Sequence, residues 1–206
     1  MRCVPSRQTL IARHHGRVLY AKRYASAHGA DGEWRWLHRL GAAGFRVAQP
    51  IGKARSGTSS LVVFAEVPGR SLEAWAQTAA LQGWSSQWFD YVVAEVAPLV
   101  RRLHGLRLVH RDLNCAHIYA VDPQEGGEPA LIDVERVCRP RLRWHRWIVK
   151  DLASLVASSP LPVPARIVVR FLRAYAPGSS RRARRTLALA VARKVRSIRR
   201  HRPRFG

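Results

Sequence analysis

The fold of this chain is decided by the sequence HRDLNCAHIY at residues 110–119, followed by LIDVE at residues 131–135. Asp112 comes just before one short apolar strand, and Asp133 ends the next one. The turn-forming sequence DPQEGG at 122–127 separates the two strands. Carboxylates at such strand ends can hold a metal ion or accept a proton. The simpler alternative is one Asp that caps a turn and another that ends a strand.

The layout of these segments resembles the catalytic loop and the metal-binding segment of protein kinases. Phosphoryl transfer needs one carboxylate that receives the proton of the attacking hydroxyl and a second that holds the Mg²⁺ bridging the nucleotide phosphates. Asp112 and Asp133 stand at the two corresponding positions. The resemblance implies ATP and Mg²⁺ as cofactors, with Mn²⁺ as the alternative metal.

A lysine and a glutamate upstream fit the same plan. Residues 17–24 alternate in polarity and predict a strand, on which Lys22 takes the position of the nucleotide-binding lysine of kinases. Asp31 is a candidate cap for the next helix, which Glu33 opens, so that Glu33 can pair with Lys22. The alternative is a solvated strand lysine and a Glu that merely suits a helix N-terminus.

The following strands lead to a predicted hinge. Residues 45–51 predict a short strand, and residues 60–67 form a continuous apolar run typical of a buried strand. Pro68 and Gly69 break this run where a hinge joins the two lobes of a kinase. The backbone groups of Glu66 and Val67 are therefore candidates for hydrogen bonds to the adenine edge.

Helices are predicted on both sides of the HRD sequence. Apolar residues at helical spacing predict a long helix from Trp88 to Leu103, which Pro98 should kink or break. Residues 147–155 predict the start of another helix, which contains Asp151. In kinase-like folds an Asp of this helix holds the backbone of the HRD turn, and an ordinary helix-cap Asp is the alternative.

The chain is similar to the lipopolysaccharide kinase family, whose kinase-like members phosphorylate heptose or Kdo in the inner core of lipopolysaccharide. HRDLNCAHIY, LIDVERV, WIVKDLASLVASSP at 147–160 and RFLRAYAP at 170–177 all resemble segments of that family. The resemblance extends over residues 17–176. It implies that Asp112 is the catalytic base, that Asp133 is the metal ligand, and that Lys22 and Glu33 form the ion pair.

His117 stands five residues after Asp112, where protein kinases place a metal-binding Asn. Mg²⁺ favours oxygen ligands, whereas imidazole suits softer divalent ions. His117 is thus a candidate for binding the metal, a metal-bound water, phosphate or Asp133, and a structural His that holds the loop is the alternative. Asn114 replaces a lysine found in many protein kinases, which argues against a standard Ser/Thr protein kinase.

The chain departs from the kinase pattern before Lys22, where it has no GxGxxG sequence. Gly16 is the nearest glycine, and only 21 residues precede Lys22. The hairpin that covers the phosphates is therefore predicted to be short, divergent or partly missing. Backbone amides and Arg or His side chains remain as means of holding phosphate.

The charge of the chain is strongly positive and lies late in the sequence. The net charge is +23 over 206 residues, and no acidic residue follows Asp151. Residues 181–204 are densely basic and predict a helix with an apolar stripe of Leu187, Val191, Val195 and Ile198. Such a helix suits an anionic membrane or glycolipid surface. It equally suits packing on the C-lobe with its arginines outward, and nucleic-acid binding is a third option.

Cysteine usage and hydropathy indicate the compartment. Cys3, Cys115 and Cys138 show neither metal-ligand nor disulfide spacing, which suits a reducing environment. The sequence has no signal-peptide pattern and no apolar run long enough to span a membrane. We expect a cytoplasmic protein, peripheral at the inner face of the cytoplasmic membrane.

Together these features predict an α+β, protein-kinase-like bilobal fold with a small β-rich N-lobe (1–66), a helical C-lobe (67–180) and a basic tail (181–206). The predicted function is ATP-dependent phosphorylation of a sugar hydroxyl, on heptose or Kdo, of a lipid-linked lipopolysaccharide acceptor. One alternative is another small-molecule kinase or a Ser/Thr protein kinase. The other is a catalytically inactive kinase-like protein that binds anionic membranes or nucleic acid.

Overall fold

The computed structural model describes residues 7–200 and divides into two compact units. The N-terminal unit contains the described residues up to Pro68 together with Ala130–Val137, and the helical unit contains Gly69–Pro129 and the residues from Cys138 onward. The segment 130–137 joins the N-terminal unit because it pairs with the chain before β3, as described below. Cys3 and residues 201–206 of the predicted tail lie outside the described residues.

The elements alternate between short strands and helices. The strands are β1 (Arg7–His14), β2 (Arg17–Tyr24), β3 (Pro50–Ser56), β4 (Ser59–Ala65), β5 (Arg70–Ser71), β6 (Ile118–Ala120) and β7 (Ala130–Leu131). The helices are α1 (Gly29–Ala42), α2 (Leu72–Gln82), α3 (Ser85–Tyr91), α4 (Ala97–Gly105), α5 (Trp144–Ala157), α6 (Ala165–Tyr175) and α7 (Arg181–Arg200).

The N-terminal unit is built on a four-stranded antiparallel sheet in the order β1-β2-β4-β3. The strand predicted at 17–24 is confirmed with the same bounds as β2. The strand predicted at 45–51 is wrong in position, since β3 begins at Pro50. Within residues 45–49, Val47 alone takes part in a bridge, an isolated parallel one with Leu131 of β7. Proline suits the first position of a strand because it has no N–H to donate to the ladder.

Helix α1 packs closely on the sheet because its first residue is a glycine. A Cβ at Gly29 would lie 2.4 Å from the Cβ of Tyr24, so a side chain is excluded there. Buried Ser60 of β4 accepts a hydrogen bond from the N–H of Ala30 and donates one to Ser26 O. The predicted cap at Asp31 is wrong. The helix begins two residues earlier, and Asp31 lies in its first turn.

The predicted long helix before the HRD sequence is observed in two parts. Helices α3 and α4 are joined by a π-helical turn at Val92–Val96, and Pro98 lies in the first turn of α4. Proline is tolerated there because the first N–H groups of a helix have no intrahelical partner. Helix α4 ends at Gly105. The residue that adopts the left-handed backbone conformation after this helix is Arg107, whose φ is 60°.

Helix α7 is the observed form of the basic segment. It packs on α5 and α6, and Val191 and Val195 of the predicted apolar stripe are buried. Its exposed arginines are Arg181, Arg182, Arg185, Arg193, Arg196, Arg199 and Arg200. The structure thus shows packing on the helical unit with arginines facing outward. Over residues 7–200, no helix has both the length and the apolar character that a membrane crossing requires.

Candidate active site

Lys22 and Glu33 form the predicted ion pair in the N-terminal unit. The Nζ atom of Lys22, on β2, lies 2.7 Å from Oε1 of Glu33, on α1. Glu33 is almost fully buried, and the Lys22 side chain is 10% exposed. Burial alone would lower the pKa of Lys22, but the carboxylates of Glu33 and Asp133 outweigh it and raise that pKa. Lys22 therefore stays cationic and is held in place for an anionic ligand.

Asp133 lies beside the same lysine. Its Oδ1 atom is 2.7 Å from Lys22 Nζ, and its backbone adopts the left-handed conformation with φ of 53°. Few residues other than glycine adopt this conformation, and it aims the side chain after the short strand β7 back towards β2. The structure thus brings together three of the predicted site residues, Lys22, Glu33 and Asp133.

Three further side chains close this group into a ring. Arg7 Nη1 lies 2.7 Å from Glu135 Oε1 and 3.4 Å from Asp133 Oδ1. The hydroxyl of Tyr24 lies 2.8 Å from Oε2 of Glu33 and 2.8 Å from Oε2 of Glu135. Burial and these two carboxylates raise the pKa of Tyr24, so the phenol stays protonated and donates to one carboxylate at a time.

Sequence reasoning missed Tyr24, Glu135 and Arg7. For Tyr24 a signal was present, because residues two apart on an extended strand share a face, and Tyr24 therefore lies on the same face as Lys22. Glu135 lies in the 3₁₀ turn Val134–Arg136 that follows Asp133, so the strand rule does not place it. Arg7 becomes visible only with the pairing of the hairpin, which puts it opposite Tyr24.

The HRD turn of the helical unit is held by Asp151, as predicted. Its two carboxylate oxygens accept the backbone N–H groups of His110, at 2.7 Å, and of Arg111, at 2.9 Å. His104 Nε2 lies 3.4 Å from the same carboxylate. Asp151 is fully buried in α5, and Arg111 adopts a left-handed φ of 67°. A buried anion thus fixes the turn that precedes Asp112.

The side chains of Asp112 and His117 lie in this same loop. Asp112 is 42% exposed. His117 Nδ1 lies 2.9 Å from the carbonyl oxygen of Asp112, and Asn114 Oδ1 accepts the backbone N–H of His117 at 3.1 Å. A carbonyl oxygen can only accept, so the contact to Asp112 requires a proton on Nδ1 of His117. Asn114 fixes the loop as the N-cap of the 3₁₀ turn at 115–117.

The predicted hinge residues follow β4. The N–H of Glu66 donates to the carbonyl of Val18 at 3.1 Å and is therefore committed to the sheet. The carbonyl of Glu66 and the N–H of Val67 remain as the candidates for the adenine edge. This narrows the predicted adenine contacts to those two groups.

The turn at Gly16 lies far from Lys22. In the β1–β2 hairpin, Lys22 pairs with Thr9, whereas the turn at His15–Gly16 closes the other end. At about 3.3 Å per residue, the five steps along the strand from Arg17 to Lys22 separate these residues by roughly 17 Å. The hairpin turn therefore does not cover the neighbourhood of Lys22, and the beginning of β1 is the part of the hairpin beside it.

Within the N-terminal unit, the carboxylates around Lys22 are suited to a divalent cation. Asp133 offers carboxylate oxygen, the ligand that Mg²⁺ prefers, and oxygens of Glu33, Asp133 and Glu135 lie within 4.8 Å of one another. Three cations contact these three carboxylates: Lys22, Arg7 and the more exposed Arg136, whose Nε atom lies 3.9 Å from Glu135 Oε1.

These features define a protein-kinase-like fold, and the similarity to solved structures agrees. A structure of WaaP in complex with acyl carrier protein has a TM-score of 0.78 and 25% sequence identity, covering 96% of this chain and 87% of that one. An aminoglycoside-3'-phosphotransferase of type VIII, at 21% identity, has a TM-score of 0.64 and covers 89% of this chain and 87% of its own. The second similarity supports the fold alone.

The chain belongs to the lipopolysaccharide kinase (Kdo/WaaP) family, whose model matches residues 10–175. The lipopolysaccharide core heptose(I) kinase WaaP of Escherichia coli K12 is 31% identical over an alignment of 161 residues, and the match covers 71% of this chain and 60% of that protein. The 3-deoxy-D-manno-octulosonic acid kinase of Actinobacillus succinogenes is 31% identical over 140 residues, which are 68% of this chain and 56% of that protein. The chain thus spans less than two thirds of the length of these relatives.

Proposed function

We propose that this chain is an ATP-dependent kinase that phosphorylates a sugar hydroxyl, on heptose or Kdo, of the lipopolysaccharide inner core. The observation that carries the proposal is the position of Lys22 in this chain, which belongs to the lipopolysaccharide kinase family. The Nζ atom of Lys22 lies 2.7 Å from a carboxylate oxygen of Glu33 and 2.7 Å from one of Asp133. A buried lysine that is kept cationic by two carboxylates is preorganised for phosphate, because little reorganisation is needed when the nucleotide binds.

In the proposed mechanism Asp112 acts as the base. Its carboxylate accepts the proton of the sugar hydroxyl as the oxygen attacks. Asp151 fixes the turn before it by the two hydrogen bonds to the backbone. The exposed position of Asp112 suits a group that must meet an incoming acceptor.

The nucleotide is proposed to be held by the N-terminal unit. Asp133 binds the divalent cation, Mg²⁺ or alternatively Mn²⁺, and Lys22 contacts the phosphates while Glu33 keeps it in place. Glu66 and Val67 hold the adenine edge by backbone groups. When bound, the nucleotide supplies the phosphoryl group for transfer. His117 Nε2 is proposed to contact the metal or phosphate, since its Nδ1 is directed to the Asp112 carbonyl.

The test is ATP turnover with and without purified lipid A–core acceptor. We expect turnover to rise strongly when the acceptor is present. Free heptose, free Kdo and a generic protein acceptor serve as comparisons, because a broader small-molecule kinase or a protein kinase would favour one of these. Failure to bind ATP would instead support the alternative of a catalytically inactive kinase-like protein.

We further propose that α7 contacts the anionic membrane at its inner face, where the lipid-linked acceptor lies. Its buried stripe fixes the helix on the helical unit, and its arginines point outward. No salt bridge connects these arginines to another described residue, so their charge is not neutralised within residues 7–200. Near an anionic surface each contributes about 1 kcal/mol. Nucleic acid is the less favoured anionic partner.

This surface is tested without deleting the helix, since its apolar side is part of the packing. Arg185, Arg193 and Arg196 lie on the face opposite Val191 and Val195 by helical spacing. Replacing these three by Gln should weaken binding to anionic vesicles by about 100-fold at low salt, if about 1 kcal/mol is lost for each. The matched control replaces three exposed arginines of the N-terminal hairpin by Gln: Arg13, Arg17 and Arg23. Equal losses in both triple variants would mean that α7 is not the docking surface.

A further inference from the structure

The ring around Lys22 contains a second cation that the proposed mechanism does not use. Lys22 is nearly buried and already has two carboxylate partners at 2.7 Å. The side chain of Arg7 is 28% exposed, and both of its ion pairs use the Nη1 atom. A guanidinium carries five N–H donors, so Arg7 has donors beyond those of Nη1 for a bidentate contact with an anion.

The position of Arg7 is next to the phosphate-binding lysine. Arg7 pairs with Tyr24 across the β1–β2 hairpin, two residues along from the pair of Thr9 and Lys22. Residues directly opposite in an antiparallel pair share a face, so Arg7, Tyr24 and Lys22 lie on one side of the sheet. The Gly16 turn lies at the far end of the hairpin, so the start of β1, with Arg7, is the part of the hairpin beside Lys22.

We propose that Arg7 binds the phosphate groups of the nucleotide, beside Lys22 and Asp133. This inference rests on the proposed function, because it needs the N-terminal unit to bind a nucleotide. Glu135 is the positioning residue. Its carboxylate, 2.7 Å from Arg7, keeps the guanidinium at the ring when a divalent cation on Asp133 repels it. The planar guanidinium presents two parallel N–H donors to phosphate oxygens, which the ammonium of Lys22 cannot do.

The experiment measures the dissociation constants of Mg·ATP and of adenosine for the full chain and three variants. Arg7→Gln removes the charge, and Arg7→Lys keeps it without the bidentate geometry. Arg13→Gln is the matched control, because Arg13 is an exposed arginine near the other end of the same strand. Thermal unfolding of each variant checks the fold.

We expect Arg7→Gln to bind Mg·ATP about 10- to 100-fold more weakly, the range for losing a charge-assisted hydrogen bond, while its affinity for adenosine stays unchanged. Arg7→Lys should recover only part of the loss, because it restores the charge without the bidentate contact, and Arg13→Gln should bind like the unmodified chain. If Arg7 influenced the nucleotide only through the metal, Arg7→Gln would bind Mg·ATP more tightly, because removing a cation beside Asp133 favours metal binding.

Three results would overturn the inference. The first is an unchanged or tighter affinity of Arg7→Gln for Mg·ATP. The second is an equal loss for Mg·ATP and adenosine, which would indicate a distorted N-terminal unit. The third is an unmodified chain that does not bind Mg·ATP, in which case the proposed function fails as well. The first two leave the proposed function standing, so the two failures are distinguishable.

Discussion

Removing the carboxylate of Asp151 should destabilise the helical unit and loosen the HRD turn. Asp151 is fully buried and accepts two backbone N–H groups, those of His110 and Arg111. Hydrogen bonds to a charged group contribute about 1.5–3 kcal/mol each, so Asp151→Ala should lower the free energy of unfolding by about 3–6 kcal/mol. Asp151→Asn keeps one acceptor oxygen and should lower the free energy of unfolding by about half as much.

The assay is urea unfolding followed by tryptophan fluorescence. Trp144 and Trp147 belong to α5, the helix of Asp151, and so report on this unit. The control is Asp90→Ala. Asp90 forms an ion pair with Arg170, but its side chain is 56% exposed, so its loss should cost only about 0–1 kcal/mol. If Asp151→Ala lowers the free energy of unfolding by no more than Asp90→Ala does, the carboxylate is not what holds the turn.

Three further results are expected. Asp133→Ala should abolish metal-dependent nucleotide binding, measured by titration with Mg·ATP; binding that survives and still needs metal would remove Asp133 as the ligand. His117→Asn should retain measurable activity and shift the preference from Mn²⁺ towards Mg²⁺, since an oxygen replaces imidazole; an unchanged metal profile would exclude contact with the ion. Burial raises the pKa of Cys115 to about 11, so at pH 8 only about 0.1% is thiolate. Peptide mapping after alkylation should therefore find Cys115 labelled far more slowly than the less buried Cys138, and equal rates would contradict this.

The elements that follow a local pattern could be predicted from the sequence. β2 has its predicted bounds because alternating polarity along residues 17–24 fixes one buried face. The contact of Asp151 with the HRD turn could be inferred from the resemblance to kinases. The bounds of α1 and β3 could not, because they depend on packing. The start of α1 is set by the contact of Gly29 with Tyr24, and the local sequence favoured Asp31 instead.

The ring around Lys22 shows the same limit for the site. Lys22, Glu33 and Asp133 could be placed by the resemblance, which assigns each a role. The positions of Glu135 and Arg7 depend on contacts between distant segments, and the register of β1 against β2 is not visible in either strand alone.

The central claim is that this chain transfers the γ-phosphate of ATP to a core sugar with Asp112 as the base. The direct measurement is the transfer of labelled γ-phosphate to purified lipid A–core, with the product identified by mass spectrometry. We predict a phosphorylated heptose or Kdo for the unmodified chain, and a rate lower by about 100-fold or more for Asp112→Asn with ATP binding retained. No label on the sugar with the unmodified chain, or equal rates for the two proteins, would contradict the account.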